Sequence, residues 1–503
     1  MSNDDGFVPT KFNILALLYK SFLHDETDDA SACRCNLSFE DQALIDSDIN
    51  RLIEQHQLNN SPLGPLENAQ AAGLLAWIGR QDDPLYLLAL LQRLDALWNL
   101  EANGRHPRLP DCFVALNDNF AETGIYVLPR LHCICQGQII GEEFEETHKN
   151  ATRLLGNINS VLLHFLLYTE ADYHHSKNGG PSFQIQNHFI EAVFDRTIKL
   201  ALSPLTNRDV LNINPFEEKR KGQKHAFKYF SVLPHREEDA AYLNAQLKKA
   251  LICAAKNNAD IFVGPEMLGT KEMTEEDPAC GGVLRMIAEL CRQLLSEGLC
   301  LPQLIFLPTY WSDSKNILFV TDNTGRIICK QEKQLPFELL GYEEHLLFEK
   351  RVLHILHIPK IGRIMMPICK DALNDVLLHD IMLRLFHTTL AISPSYSTGT
   401  WNFNKTAASF DPFHCSFVWC NTCSVTHHYT LDAGQPRPFN IRQVGIVYGT
   451  SDDQKIKLTP RCTRGCVDGD DGCLFLAEIP LAGGPIKWEH LTHMHKANGA
   501  SGC

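Results

Sequence analysis

Hydrophobic positions change their rhythm partway along this chain. In residues 38–56, Leu44, Ile45, Ile49, Leu52 and Ile53 recur at helical spacing behind Ser38 and Glu40–Asp41, residue types that start helices. Residues 71–100 carry a second long helical pattern, with a break expected near Asp83–Pro84. Residues 151–168 and 190–202 also read as helices. Beyond residue 224 the apolar runs shorten. Strands are predicted at 227–233, 261–263, 304–307, 364–368, 389–392, 417–420 and 443–448. A hairpin is predicted from 317–320 and 326–330 around Asp322-Asn323-Thr324-Gly325. Between the strands lie amphipathic helices: 240–257 with Leu243, Leu247, Leu251 and Ala254 on one face, a second through Leu284, Ile287, Cys291 and Leu294, and a third marked by Leu377, Ile381 and Leu385. Short apolar strands alternating with such helices predict a layered α/β domain.

The change of rhythm sets the expected domains. Residues 1–213 form a mostly α-helical domain, 214–223 a linker, 224–490 the α/β domain and 491–503 a flexible tail. The linker contains Pro215, Gly222 and the basic run Lys219-Arg220-Lys221, a solvated connector rather than an anion site. No repeat of fixed period occurs. At 503 residues, with 44% hydrophobic and 21% charged residues, the chain can bury two cores, which excludes disorder or coiled coil as its main state. A net charge of −14 disfavours broad nucleic-acid or anionic-membrane surfaces. No stretch approaches the roughly 18 apolar residues of a spanning helix, and the acidic start, MSNDDGF, lacks the layout of a signal peptide. The 18 cysteines are scattered and often sit inside apolar runs, as do Cys291, Cys329 and Cys369. They read as reduced thiols of a cytoplasmic protein that does not engage membranes.

Three reactive residues follow predicted strands: Glu266 in Val-Gly-Pro-Glu-Met, Lys333 after the 326–330 strand, and Cys369 in Ile-Cys-Lys-Asp371. Strand ends are where α/β folds collect catalytic groups. A thiolate attacks carbonyl or nitrile carbon well. A carboxylate in a dry pocket can serve as its base. A lysine ammonium, and the N–H of Lys370 after the nucleophile, can stabilise the tetrahedral intermediate. Taken singly, each residue reads more simply as a core thiol, a solvated strand-end lysine and a helix-capping carboxylate.

In these contexts and this order, the three residues resemble the nitrilase superfamily of carbon–nitrogen hydrolases. Ile-Ser-Pro-Ser at 392–395 and Phe-Val-Trp-Cys-Asn at 417–421 also look like signatures of that family. The resemblance covers about residues 224–485 and leaves the N-terminal half unassigned. It implies an αββα sandwich in which Cys369 forms a thioester, Glu266 moves the proton and Lys333 stabilises the intermediate. It also implies a second glutamate. Glu344 fits best because Phe348 follows four residues later, with Glu343 and Glu338 as alternatives. The substrate would be a small amide or nitrile, and the assembly a homo-oligomer. The chain departs from the family pattern at Gln331–Glu332, Leu335 and Lys370, which bears on substrate more than on reaction type. Glu332 in particular stands beside Lys333 and could change the charge of the pocket.

Other clusters read as ordinary residues. Cys33/Cys35 and Cys133/Cys135, His174–His175, Cys420/Cys423 with His427 and His428, and Cys462/Cys466/Cys473 have metal-like spacings. Simple thiols and loop histidines account for them, so no metal or cofactor is expected. Phosphate loops and dinucleotide fingerprints are absent. The principal expectation is a hydrolase of non-peptide carbon–nitrogen bonds. The alternative is a helical sensor or protein-binding module that uses the α/β domain as a conditional effector or oligomerising scaffold. An acyltransferase variant is a third reading.

Overall fold

The computed structural model describes residues 11–23, 37–58, 68–81, 83–98, 123–129, 162, 165–169, 183–190, 192, 194, 197–219, 226–273, 282–339, 341–358, 361–386, 388–397, 399–410, 415–424, 443–450, 455–458, 474–480 and 487–491. The chain divides into two compact units: Met1–His132 with Gln138–Ile185, and Cys133–Gly137 with Gln186–Cys503.

The first unit holds helices α1 (Lys11–Leu23), α2 (Phe39–Gln55), α3 (Asn68–Ile78) and α4 (Pro84–Leu97). Ser38 caps α2 by accepting the Asp41 N–H at 3.1 Å. Asp83 caps α4 by accepting the Leu85 N–H at 2.9 Å, with Pro84 in the first turn, where its missing N–H costs nothing. That is the expected break between the two helices. Ile49, Leu52, Ile53, Leu88, Leu91 and Leu94 are buried. Two strands, β1 (Ile125–Pro129) and β2 (Phe165–Thr169), pair antiparallel. The helix expected over 151–168 is therefore corrected at its end. Phe165, Leu167 and Tyr168 are buried in a strand, and a short apolar run cannot by periodicity alone be told from a helix.

The second unit opens at the division with β3 (Gln184–Phe189). Then follow β4 (Thr197–Leu202), β5 (Asn212–Glu218), β6 (Phe227–Leu233), α5 (Glu237–Lys256), β7 (Ile261–Val263), α6 (Gly282–Ser296), β8 (Leu304–Phe306), β9 (Tyr310–Ser312), β10 (Lys315–Asp322), β11 (Ile327–Glu332), β12 (Glu338–Leu339), β13 (Tyr342–Glu344), β14 (Val352–Ile358) and β15 (Gly362–Met365). A π-helical segment, Val376–Leu385, takes the place of the third expected helix. The chain continues through β16 (Leu390–Pro394), α7 (Thr400–Ser409), β17 (Ser416–Cys420), β18 (Gly445–Thr450), β19 (Lys455–Leu458), β20 (Leu474–Pro480) and β21 (Lys487–Leu491).

Three sheets result. The first runs β11-β10-β8-β7-β4-β20-β21, with β9 on β10. The second runs β19-β18-β17-β16-β15-β14-β3, and a small third sheet runs β12-β13-β6-β5. Strands β4, β7 and β8 are mutually parallel, as are β15, β16 and β17. Their carboxyl ends are the natural place for a site. Helices α5 and α6 bury Leu243, Leu247, Leu251, Ile287 and Leu294 against Phe262 and Ile305 of the first sheet. On the second sheet, Phe403 of α7 stacks on Trp419 at 4.8 Å, and Phe410 on Phe417 at 4.7 Å. Cys420 of β17 donates to the Val263 carbonyl of β7 at 3.4 Å, so the two sheets meet at these strand ends.

The boundary of the α/β unit lies well before residue 224. Residues 197–202, expected as a helix, form β4 between β7 and β20. A central strand buried on both faces shows a continuous apolar run rather than alternation. The expected linker is a strand as far as Glu218: β5 pairs with β6 from Asn212↔Leu233 to Glu218↔Phe227. It is polar because it is an edge strand with a mostly exposed face, which also lets it carry Pro215. Residues 220–225 and 492–503 lie outside the described residues.

Candidate active site

Glu266 follows β7 through Gly264 and Pro265. A Cβ on Gly264 would meet Pro308 at 2.8 Å, so only glycine lets these two loops approach. The Glu266 N–H bonds Ser395 O at 3.3 Å, and the Met267 N–H bonds Thr309 Oγ1 at 2.8 Å. These bonds fix the carboxylate from both sides. It is 1% exposed.

Lys333 follows β11, and its backbone N–H bonds Asn316 O of β10 at 2.8 Å. Its Nζ lies 2.8 Å from Glu266 Oε1 and 2.6 Å from Glu344 Oε2. Glu344 closes β13 and is buried, whereas Glu338 and Glu343 are exposed. The carboxylate of Glu344 also accepts the Phe337 N–H at 3.1 Å. Asn316, which the sequence reading did not single out, donates through Nδ2 to Glu266 at 2.8 Å and reaches Glu344 at 3.4 Å. Its one signal in the sequence is a polar residue of low strand propensity immediately before the apolar run of β10. Glu266 Oε2 accepts the Tyr396 N–H at 2.8 Å.

Cys369 lies just past β15 and opens a 3₁₀ turn, Cys369–Leu373. Its φ is +49°, a left-handed conformation that a non-glycine residue holds at some cost. It is 3% exposed, and its thiol lies within electrostatic reach of Glu266, Lys333 and Glu344. Two residues on, Asp371 accepts the N–H groups of Gln334 at 3.0 Å, Leu335 at 2.8 Å and Ile368 at 3.2 Å. The loop after Lys333 is thereby tied to the loop bearing Cys369.

Burial dominates the electrostatics. It pushes Glu266 above the usual carboxylate range; Lys333 pulls it down and Glu344 pushes it up further. Burial alone would lower Lys333, but the two carboxylates outweigh it and hold the ammonium charged. Burial and Glu266 both push the Cys369 thiol up, against the pull of Lys333. Asp371 is raised by burial to about 7, opposed by its backbone donors and Lys333. One buried cation between two glutamates thus leaves the cluster able to take up a proton when the thiol gives one up.

Glu332 is not part of this cluster, because Lys315 Nζ engages it at 3.1 Å. Gln331 is buried and donates to the carbonyl of Val352 at 2.9 Å, a structural tie between β11 and β14. Cys420 is buried between the two sheets and Cys423 is buried beyond it. Cys33, Cys35, Cys133, Cys135, His174, His175, His427, His428, Cys462, Cys466 and Cys473 lie outside the described residues. Among the described residues, no helix is long and apolar enough to cross a membrane.

No family model matches the chain, and no curated protein does. Solved structures of nitrilase-superfamily proteins match more than half of it. The chain is similar to the NitFhit protein of C. elegans at 14% identity and a TM-score of 0.36, over 57% of this chain and 61% of that one. An amidase from Nesterenkonia sp. matches at 13% identity and a TM-score of 0.35, over 58% of this chain and 93% of the amidase. Nit3 of Saccharomyces cerevisiae, a member of branch 10 of the nitrilase superfamily, matches at 15% identity and a TM-score of 0.33, over 59% of this chain and 90% of Nit3. The chain thus spans less than two thirds of the length of NitFhit.

Proposed function

We propose that the second unit is an αββα hydrolase of small amides or nitriles that works through a thioester on Cys369. The observation that carries this reading is the buried Glu266–Lys333–Glu344 cluster, with the buried thiol of Cys369 close enough to feel all three charges. For an amide, Glu266 accepts the thiol proton as sulfur attacks the carbonyl carbon. The oxygen that gains charge is stabilised by Lys333 and by the Lys370 N–H. Glu266 then passes the proton to the departing nitrogen, and the C–N bond breaks to leave the thioester. A water molecule, deprotonated by Glu266, attacks the same carbon. The acid leaves, and the proton returns to the Cys369 sulfur. Glu344 holds Lys333 in place and keeps it charged through both halves.

The experiment is intact-protein mass spectrometry after incubation with a panel of small amides, nitriles and acyl donors. Wild type should gain the mass of the acyl group, and Cys369→Ala should not. A panel that leaves wild type unmodified, with Cys369 also inert to iodoacetamide, would overturn the reading.

A further inference from the structure

A second set of reactive side chains lies in the same unit and shares no residue with the cluster around Lys333. His188 on β3, Cys329 on β11 and His354 on β14 each offer one donor atom, and the three atoms lie within 4.8 Å of one another. His188 Nε2 and His354 Nδ1 are 2.8 Å apart. The strands come from two different sheets: β3 and β14 end the second, and β11 ends the first. Cys329 and His354 are buried at 4% and 8% exposure, while His188 is half-buried, so one edge of the set is open to solvent.

Strand β14, which carries His354, is tied to β11, which carries Cys329. The backbone N–H of His354 bonds Gln331 Oε1 at 3.0 Å. Strand β14 keeps its two buried histidines separate. His357 points to the opposite side, bonding Asn187 Oδ1 at 2.7 Å and stacking on Phe189 at 4.8 Å.

We propose that His188, Cys329 and His354 form a zinc site, with Cys329 bound as thiolate and a fourth position open to water on the side of His188. Tetrahedral zinc with ordinary bond lengths needs donors roughly 3.3 Å apart for N···N and 3.6 Å for N···S. The two rings must therefore move apart by about half an ångström. Both imidazoles are in the form a metal requires: burial keeps His188 below its ordinary value, and burial with His188 nearby takes His354 to about 3. Burial pushes the Cys329 thiol up, so the thiol keeps its proton until the metal displaces it. Binding releases that one proton to solvent. The proton shared between the two facing ring nitrogens moves to the far nitrogen of the ring that carries it, which frees both facing nitrogens for the metal. The ion would fasten the first strand of the unit and β14 to the edge of the other sheet.

The test uses the full chain stripped of metal with a chelator and titrated with Co²⁺, then Zn²⁺. One equivalent of Co²⁺ should give the visible bands of tetrahedral cobalt and a near-ultraviolet thiolate charge-transfer band, both removed by Zn²⁺. Cys329→Ser should lose the charge-transfer band. His188→Gln, a half-buried position expected to tolerate the change, should weaken binding by more than the about 10–100-fold that an outer partner costs. It should also abolish the rise in melting temperature that Zn²⁺ gives wild type. Cobalt spectra unchanged by both substitutions would place the metal on other cysteines and overturn the proposal. So would a wild-type protein that binds neither ion. Neither readout depends on hydrolysis.

Discussion

Asp371 Oδ1 accepts the backbone N–H of Leu335 at 2.8 Å, joining the loop that carries Cys369 to the loop that carries Lys333. The same carboxylate holds Gln334 and Ile368. Cys369 and Lys333 are therefore positioned by one side chain.

Asp371→Asn replaces one acceptor oxygen by an NH₂ group that must face a backbone N–H. The loss should be about 1.5–3 kcal/mol at pH 8, where the carboxylate is ionised. Acylation should slow by about 100-fold through misplacement of Cys369. Urea unfolding and the rate of mass gain check the two effects separately.

Asn316→Leu removes the Nδ2 donor that favours the charged form of Glu266. The Glu266 pKa, already raised by burial, should rise further. The acid limb of the pH–rate profile should move to higher pH, with the alkaline limb in place. A profile that falls evenly at all pH values would argue against this role.

Lys333→Met leaves Glu266 without its buried cation, whose charge and hydrogen bond both lower the Glu266 pKa. A carboxyl with a folded pKa above its unfolded one adds stability below the unfolded value. That stability is lost as pH rises through the folded pKa. The variant should therefore lose unfolding free energy between about pH 5 and pH 8 faster than wild type, by up to roughly 1.4 kcal/mol per pH unit, as measured by urea unfolding. Activity should disappear throughout.

His357 is held neutral by burial first, and by Arg363 and His188. Its folded pKa is depressed, so its contribution is present above the unfolded pKa of about 6.5 and is lost as pH falls below it. Wild type should lose stability on going from about pH 7 to pH 5, and His357→Gln should flatten that slope by about one proton. Thermal melts at matched ionic strength measure both.

The residues with the strongest local contexts were legible in the sequence. Strand-Gly-Pro-Glu, Ile-Cys-Lys-Asp and the spacing of Glu344 from Phe348 need only a few neighbouring residues to be read, and Glu266 and Cys369 each follow a short buried strand. The helix start at Ser38 and the break at Asp83–Pro84 are local in the same way, since capping acts within one turn. Three things needed the tertiary structure. The polar strand β5 reads as a linker because it is mostly exposed and lacks an apolar face, and only its pairing with β6 shows it to be a strand. Asn316 becomes a site residue only because β10 runs beside Lys333, 17 residues away in sequence, and faces Glu266, 50 residues away. His188, Cys329 and His354 span 166 residues and have no spacing that a motif could record. Local sequence fixes what a strand or turn can be, because its forces act within a few residues. Which strands become neighbours is decided by burying both sheets at once, and that places distant polar atoms in contact.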